Sequence, residues 1–140
     1  MEIINFLAWF SVVAIALGFG AGIMVWAYRG KGSQAVLFTD AVLMSPSLKK
    51  TDVASTFHQG YDAFQAGKYQ LALESFTDVI QAKPHCPEAH HNRGLVLANL
   101  LRDNQAVKDL ALAAELYAAR DNGVAINLIR EQLQTIKARD

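Results

Sequence analysis

Residues 53–86 read VASTFHQGYDAFQAGKYQLALESFTDVIQAKPHC, and residues 87–120 read PEAHHNRGLVLANLLRDNQAVKDLALAAELYAAR. Set one above the other, these two stretches of 34 residues put Gly60 over Gly94 and Ala72 over Ala106. Apolar residues recur around each pair at helical spacing. Ala72, Phe76, Val79 and Ile80 share one helix face, and their counterparts Ala106, Leu110, Ala113 and Ala114 share another. On the preceding helices, Phe57, Gly60, Tyr61 and Phe64 map onto His91, Gly94, Leu95 and Ala98. A period of this size is the mark of a helix–turn–helix unit that buries its face by stacking on a copy of itself. The punctuation agrees. Gly67 can end the first helix in the left-handed region, Pro84 stops the second, and Pro87 suits the first turn of the third. Asp103 or Asn104 is expected to cap the fourth.

These residues resemble the tetratricopeptide repeat (TPR) family. Gly60, the Gly67-x-Tyr69 turn, Ala72, Phe76 and Pro84 match that family's pattern in the first unit. In the second, Gly94, Leu97, Ala106 and Leu110 match, while Leu101 and Asp103 replace the turn pair and Ala118 replaces the closing proline. Residues 122–138 follow with Ala125, Leu128, Ile129, Leu133 and Ile136 on one stripe, which reads as a capping helix. The expected fold is all-α, with a TPR domain over 53–140: repeats at about 53–86 and 87–120, then the cap.

The chain has 140 residues, 52% of them hydrophobic and 19% charged, with zero net charge, so no basic surface for nucleic acid is expected. Its apolar residues are unevenly spread. Ile3 to Tyr28 carries no formal charge, and a helix of that length rises about 39 Å, enough to cross a hydrocarbon layer of about 30 Å. Trp9 near one end and Trp26 and Tyr28 near the other suit the two interfaces. The start lacks Lys and Arg, and the run ends in Trp-Ala-Tyr-Arg, which argues for a retained anchor over 1–28 rather than a cleaved signal. Arg29, Lys31, Lys49 and Lys50 follow the run. The C-terminal part is therefore expected on the cytoplasmic side (in an organelle, the matrix or stroma), with the N-terminus outside. The single cysteine, Cys86, fits a reducing compartment. Ala14, Gly18 and Gly22 form a small-residue stripe suited to packing against another membrane helix.

Residues 29–52 form a linker. Its stretch Ala35 to Met44 is apolar apart from Thr39 and Asp40 and too short to span. Three destinations stay open for it: the membrane surface, a partner, or its own domain.

The TPR resemblance implies a concave groove that receives a peptide or helix. Carried over residue by residue, the groove positions are Ala54, Phe57, Tyr61, Phe64 and Gln65, then Glu88, His91, Leu95, Ala98 and Asn99. Phe57, Tyr61, Phe64, Gln65, His91, Leu95 and Asn99 are the expected partner-binding residues, with the aromatic first repeat as the main anchor. His85, Cys86, His90 and His91 cluster in sequence, but His90 and His91 diverge by about 100° on a helix and no closed set of four ligands is evident. No metal, cofactor or catalytic residue is expected. The reading is a membrane-anchored adaptor for the assembly or stability of a membrane complex. Its layout resembles small TPR proteins of photosynthetic membranes, and that resemblance implies a thylakoid, with the plasma membrane as the other expected site. A targeting-sequence receptor and an accessory subunit held by its membrane helix are the alternatives.

Overall fold

Helices fill most of residues 54–137, within residues 36–139, the part of the chain described by the computed structural model. A single 3-10 turn, Leu48–Lys50, precedes α1 (Ala54–Gln65), α2 (Tyr69–Ala82), α3 (Pro87–Asn99), α4 (Asp103–Ala118) and α5 (Gly123–Lys137). The described residues are all-α, with no strand among them. Each helix packs on the next in the chain: α1 on α2, α2 on α3, α3 on α4, and α4 on α5. One hydrophobic core runs through the stack, from Phe57, Phe64 and Phe76 through Leu95, Val96 and Leu110 to Ile129 and Ile136.

The two hairpins repeat their closest contact. A methyl group added at Gly60 would lie 2.9 Å from Phe76 Cε1, and one added at Gly94 would lie 2.8 Å from Leu110 Cγ. Neither distance is tolerable between carbon atoms, so a large residue on the second helix of each hairpin requires glycine on the first.

The turns repeat as well. At the end of α1, Gly67 adopts φ +71°, its N–H donates to Phe64 O at 2.9 Å, and Lys68 N–H reaches back to Ala63 O at 2.8 Å. At the end of α3, Leu101 at φ +60° and Arg102 repeat those bonds to Ala98 O and Leu97 O, at 3.1 and 2.8 Å. Asp121 at φ +53° and Asn122 make the same closure after α4, to Ala118 O and Tyr117 O. This is the Schellman arrangement, which satisfies the last carbonyls of a helix. Glycine enters it without cost, whereas leucine and aspartate are strained there.

Helix ends follow the prolines. α2 stops at Ala82, because the residue before Pro84 is pushed out of the helical region. α4 has Ala118 in the corresponding place and continues to it. Pro87 opens α3, where its missing N–H costs nothing. The cap of α4 differs from expectation. Arg102 holds the N-cap position without a side-chain bond, and Asp103 lies inside the first turn, where its carboxylate pairs with Arg139. Its charge at the positive end of the helix replaces a capping bond. α5 is capped by Asn122, whose side chain accepts from Ala125 N–H at 3.1 Å. Its buried face is centred on Ile129, Gln132 and Ile136 rather than on the whole predicted stripe, and Leu128 stays 42% exposed.

The predicted anchor over 1–28 and its stripe Ala14, Gly18 and Gly22 lie outside the described residues. Among the described residues no helix is long and apolar enough to cross a membrane.

Candidate functional site

Asn92 and Asn99 stand two turns apart on α3, a spacing that puts both amides on one face. Leu95 and Val96 share that face between them, and both are fully buried. Along it runs an extended segment, residues 36–44, called the strap below. Val42 N–H donates to Asn92 Oδ1 at 2.6 Å, and Asn92 Nδ2 donates back to Val42 O at 2.9 Å. Asn99 repeats the arrangement four residues earlier in the strap. Phe38 N–H reaches Asn99 Oδ1 at 2.9 Å and Leu37 N–H reaches it at 3.1 Å, while Asn99 Nδ2 donates to Phe38 O at 2.8 Å. The strap therefore runs antiparallel to α3. Four extended residues cover about 13 Å and seven helical residues about 10.5 Å, close enough for both asparagines to engage one nearly straight chain.

Each asparagine treats the strap as a neighbouring β-strand would, giving a donor and an acceptor to one residue's backbone. Side chains are read separately. Met44 is buried, and Leu37, Phe38 and Ala41 are half-buried against the core, whereas Val36, Thr39, Asp40 and Leu43 face water. Of the three destinations open for this stretch, the structure shows the chain's own domain.

The expected partner-binding residues divide accordingly. Phe57 is fully enclosed and meets Phe76 edge-on, with ring centroids 5.4 Å apart. Phe64 is enclosed and meets Tyr69 in the same way at 5.5 Å. Leu95 is buried beneath the face carrying the asparagines. His91 is buried edge-on to Tyr117, and its Nε2–H donates a hydrogen bond to Gln132 Oε1 at 2.6 Å. Burial lowers its pKa below 6.5, against the smaller opposing effect of the Gln132 bond, so the ring is neutral near pH 7. The aromatic stripe of the first repeat is thus largely interior. Tyr61 is half-buried and Gln65 exposed, and of the expected set Asn99 engages a peptide. Asn92 escaped sequence reading. Its signal was present, since it lies seven residues before Asn99 on the same predicted face.

The second hairpin also encloses charge. Arg93 Nε and Nη2 donate to the two carboxylate oxygens of Asp109 at 2.6 and 2.8 Å, and His90 Nδ1 lies 3.6 Å away. Burial alone would raise the Asp109 pKa. The Arg93 bonds, then His90, outweigh it and hold the carboxyl below its ordinary value. Where the strap turns toward α1, a cleft of about 300 Å³ is lined by Ser45, Thr51, Lys83, Cys86, Glu88 and Arg120. Glu88 is buried there with Arg120 Nη1 at 3.3 Å, and the Cys86 thiol donates to it at 3.4 Å. Burial first, then the Glu88 charge, raise Cys86 to about 11 against the Ala89 N–H, so the thiol stays protonated at neutral pH.

No protein-family model, curated protein or solved structure matches this chain. The feature that bears on function is the groove under the strap. Paired amides above a buried apolar floor bind extended polypeptide, because a peptide unit both donates and accepts in the same geometry.

Proposed function

We propose that residues 53–140 are a TPR domain, carried at the cytoplasmic or stromal face of a membrane by an N-terminal anchor, and that the protein is an adaptor. It binds a segment of a protein partner and so acts in the assembly or stability of a membrane complex. The observation that carries the reading is the pairing of Asn92 and Asn99 with the backbone at Val42 and Phe38. The repeat of the Gly60–Phe76 contact at Gly94–Leu110, and of the Gly67 turn at Leu101, supports the TPR assignment. The anchor rests on the charge-free run from Ile3 to Tyr28. The layout's likeness to small proteins of photosynthetic membranes makes the thylakoid the first membrane to examine.

The test is crosslinking and mass spectrometry in native membranes, followed by purification in mild detergent. The adaptor reading expects the chain to co-purify with a membrane complex through residues near α3, and Asn92→Ala with Asn99→Ala to release it. Recovery of the chain solely as a free monomer would overturn the reading. Release by Gly18→Leu and Gly22→Leu alone would transfer the binding role to the membrane helix.

A further inference from the structure

We infer that the strap is a resident stand-in for the partner, and that the groove takes in exchange an extended, apolar segment of another protein. This rests on the adaptor reading and specifies its ligand. The pattern is written in the strap itself. Two residues four apart, at the places of Phe38 and Val42, must present a free N–H and C=O, so proline is excluded from both. Apolar side chains belong at the places of Leu37, Phe38 and Ala41, while those of Thr39, Asp40 and Leu43 tolerate any residue because they face water.

Three features make the strap replaceable. It forms no backbone hydrogen bond within residues 36–44, and among the described residues its backbone is held to the domain by the two asparagine side chains. It buries its apolar residues incompletely, with Val36 46% and Leu43 71% exposed. Its far end is pinned, since Met44 and Leu48 are buried in the core and the 3-10 turn follows. The segment can therefore peel from Val36 toward Met44 while the helices stay packed.

The groove in turn requires a peptide. Asn92 is fully buried under the strap, and an amide left there without partners costs about 1–3 kcal/mol. An aliphatic or lipid-like occupant offers no donor–acceptor pair and leaves that cost unrelieved. A peptide relieves it. Because the strap is tethered, it competes at high effective concentration, and an incoming segment binds with its affinity reduced by the fraction of grooves already filled.

The experiment uses the full chain in detergent and a fluorescent synthetic peptide of residues 36–45. In the Phe38→Pro/Val42→Pro chain the Phe38 and Val42 N–H donors are gone, Leu37 N–H alone still reaches Asn99 Oδ1, and the groove is intact. That chain is expected to bind the peptide at least about tenfold more tightly than the natural one. Adding Asn92→Ala is expected to abolish the gain, and a peptide carrying proline at both paired places is expected not to bind. A variant with unchanged helical circular dichroism but no gain in affinity would overturn the inference, as would strap-exchanged dimers, which would reserve the groove for this chain. Should the proline variant not fold, hydrogen exchange on the natural chain decides. The Val42 amide is expected to exchange at least about a hundredfold faster than core amides of α3, through local opening. Exchange solely by global unfolding would make the strap a permanent part of the fold. Failure of the adaptor reading looks different: the proline variant binds the peptide, yet no partner crosslinks in membranes.

Discussion

The first hairpin, α1 and α2, and the second, α3 and α4, share a frame and differ in what they bury. Superposed through the period of 34, Phe57 corresponds to His91, Gln59 to Arg93, and Ser75 to Asp109. The first hairpin encloses aromatic rings and the second encloses a charge pair and a neutral histidine. Their outward faces differ as well. Asn92 and Asn99 hold the strap, while their counterparts His58 and Gln65 are exposed. The lesson concerns where an aromatic residue is spent. In the first hairpin the large rings are needed to fill the space between helices. In the second, small alanines such as Ala98 and Ala113 fill less, and polar groups occupy the room and the rim. The hairpin whose core is aromatic leaves its outer face bare, and the second hairpin, which departs further from the repeat pattern, carries the contact with the strap.

The largest test of this contrast is truncation of the matched contacts. Phe76→Ala is expected to cost about 3–5 kcal/mol and Leu110→Ala about 2–5 kcal/mol in urea denaturation. Both should unfold in one transition by circular dichroism and tyrosine fluorescence. Two separated transitions would break the picture of a single cooperative stack. Next comes the charge pair. Arg93→Gln leaves the Asp109 carboxylate buried and should cost about 2–3 kcal/mol, since the two side chains are 22% and 11% exposed. Arg93→Gln with Asp109→Ser writes the first hairpin's chemistry into the second. In a double-mutant cycle it should cost less than the two single changes summed.

A finer comparison sets Gly94→Ala against Gly60→Ala, each expected to cost about 1–3 kcal/mol by thermal melting. Gly94 should be the worse, because the added methyl also meets the Ala106 backbone oxygen at 3.3 Å, whereas at Gly60 its nearest neighbours are Phe76 ring atoms. Equal losses would mean that the Phe76 ring is as immobile as backbone. Acid separates the hairpins too. His91 has a lowered pKa when folded, so the unfolded chain takes up its proton first. Its contribution is intact above about pH 6.5 and is lost as pH falls below it. Asp109, held low when folded, contributes fully above its ordinary value of 3.8 and loses that contribution as pH falls through the depressed one. Melting temperature should therefore drop between pH 7 and 5, and His91→Phe, the first hairpin's residue, should flatten that slope. A slope unchanged in the variant would remove His91 from the account. The smallest effect belongs to the turn. Leu101→Gly relieves a left-handed leucine and should stabilise by up to about 1 kcal/mol, while Gly67→Ala should cost about as much.

Much of this was legible in the chain. Gly67 and Pro84 mark the ends of α1 and α2, and Pro87 the start of α3, because each acts through its own backbone geometry. The cap at Asp103 was misjudged, since nothing near it in sequence shows that Arg139 returns to it from the far end of α5. Phe57 and Phe64 were legible as one apolar face of a helix, but not as a closed one. Periodicity tells which face is apolar and leaves open which neighbour covers it.

By itself the sequence determined an all-α fold for the described residues, a spacing of 34, and the glycines that let each pair of helices touch. These are local or nearest-neighbour properties, set by backbone sterics and by which residues share a helix face. Only the tertiary structure decided that residues 36–44 lie along α3, that Asn92 joins Asn99, and that the first hairpin's aromatics are interior. The first two depend on contacts 50 to 62 residues apart in the chain, between groups whose complementarity no local pattern encodes.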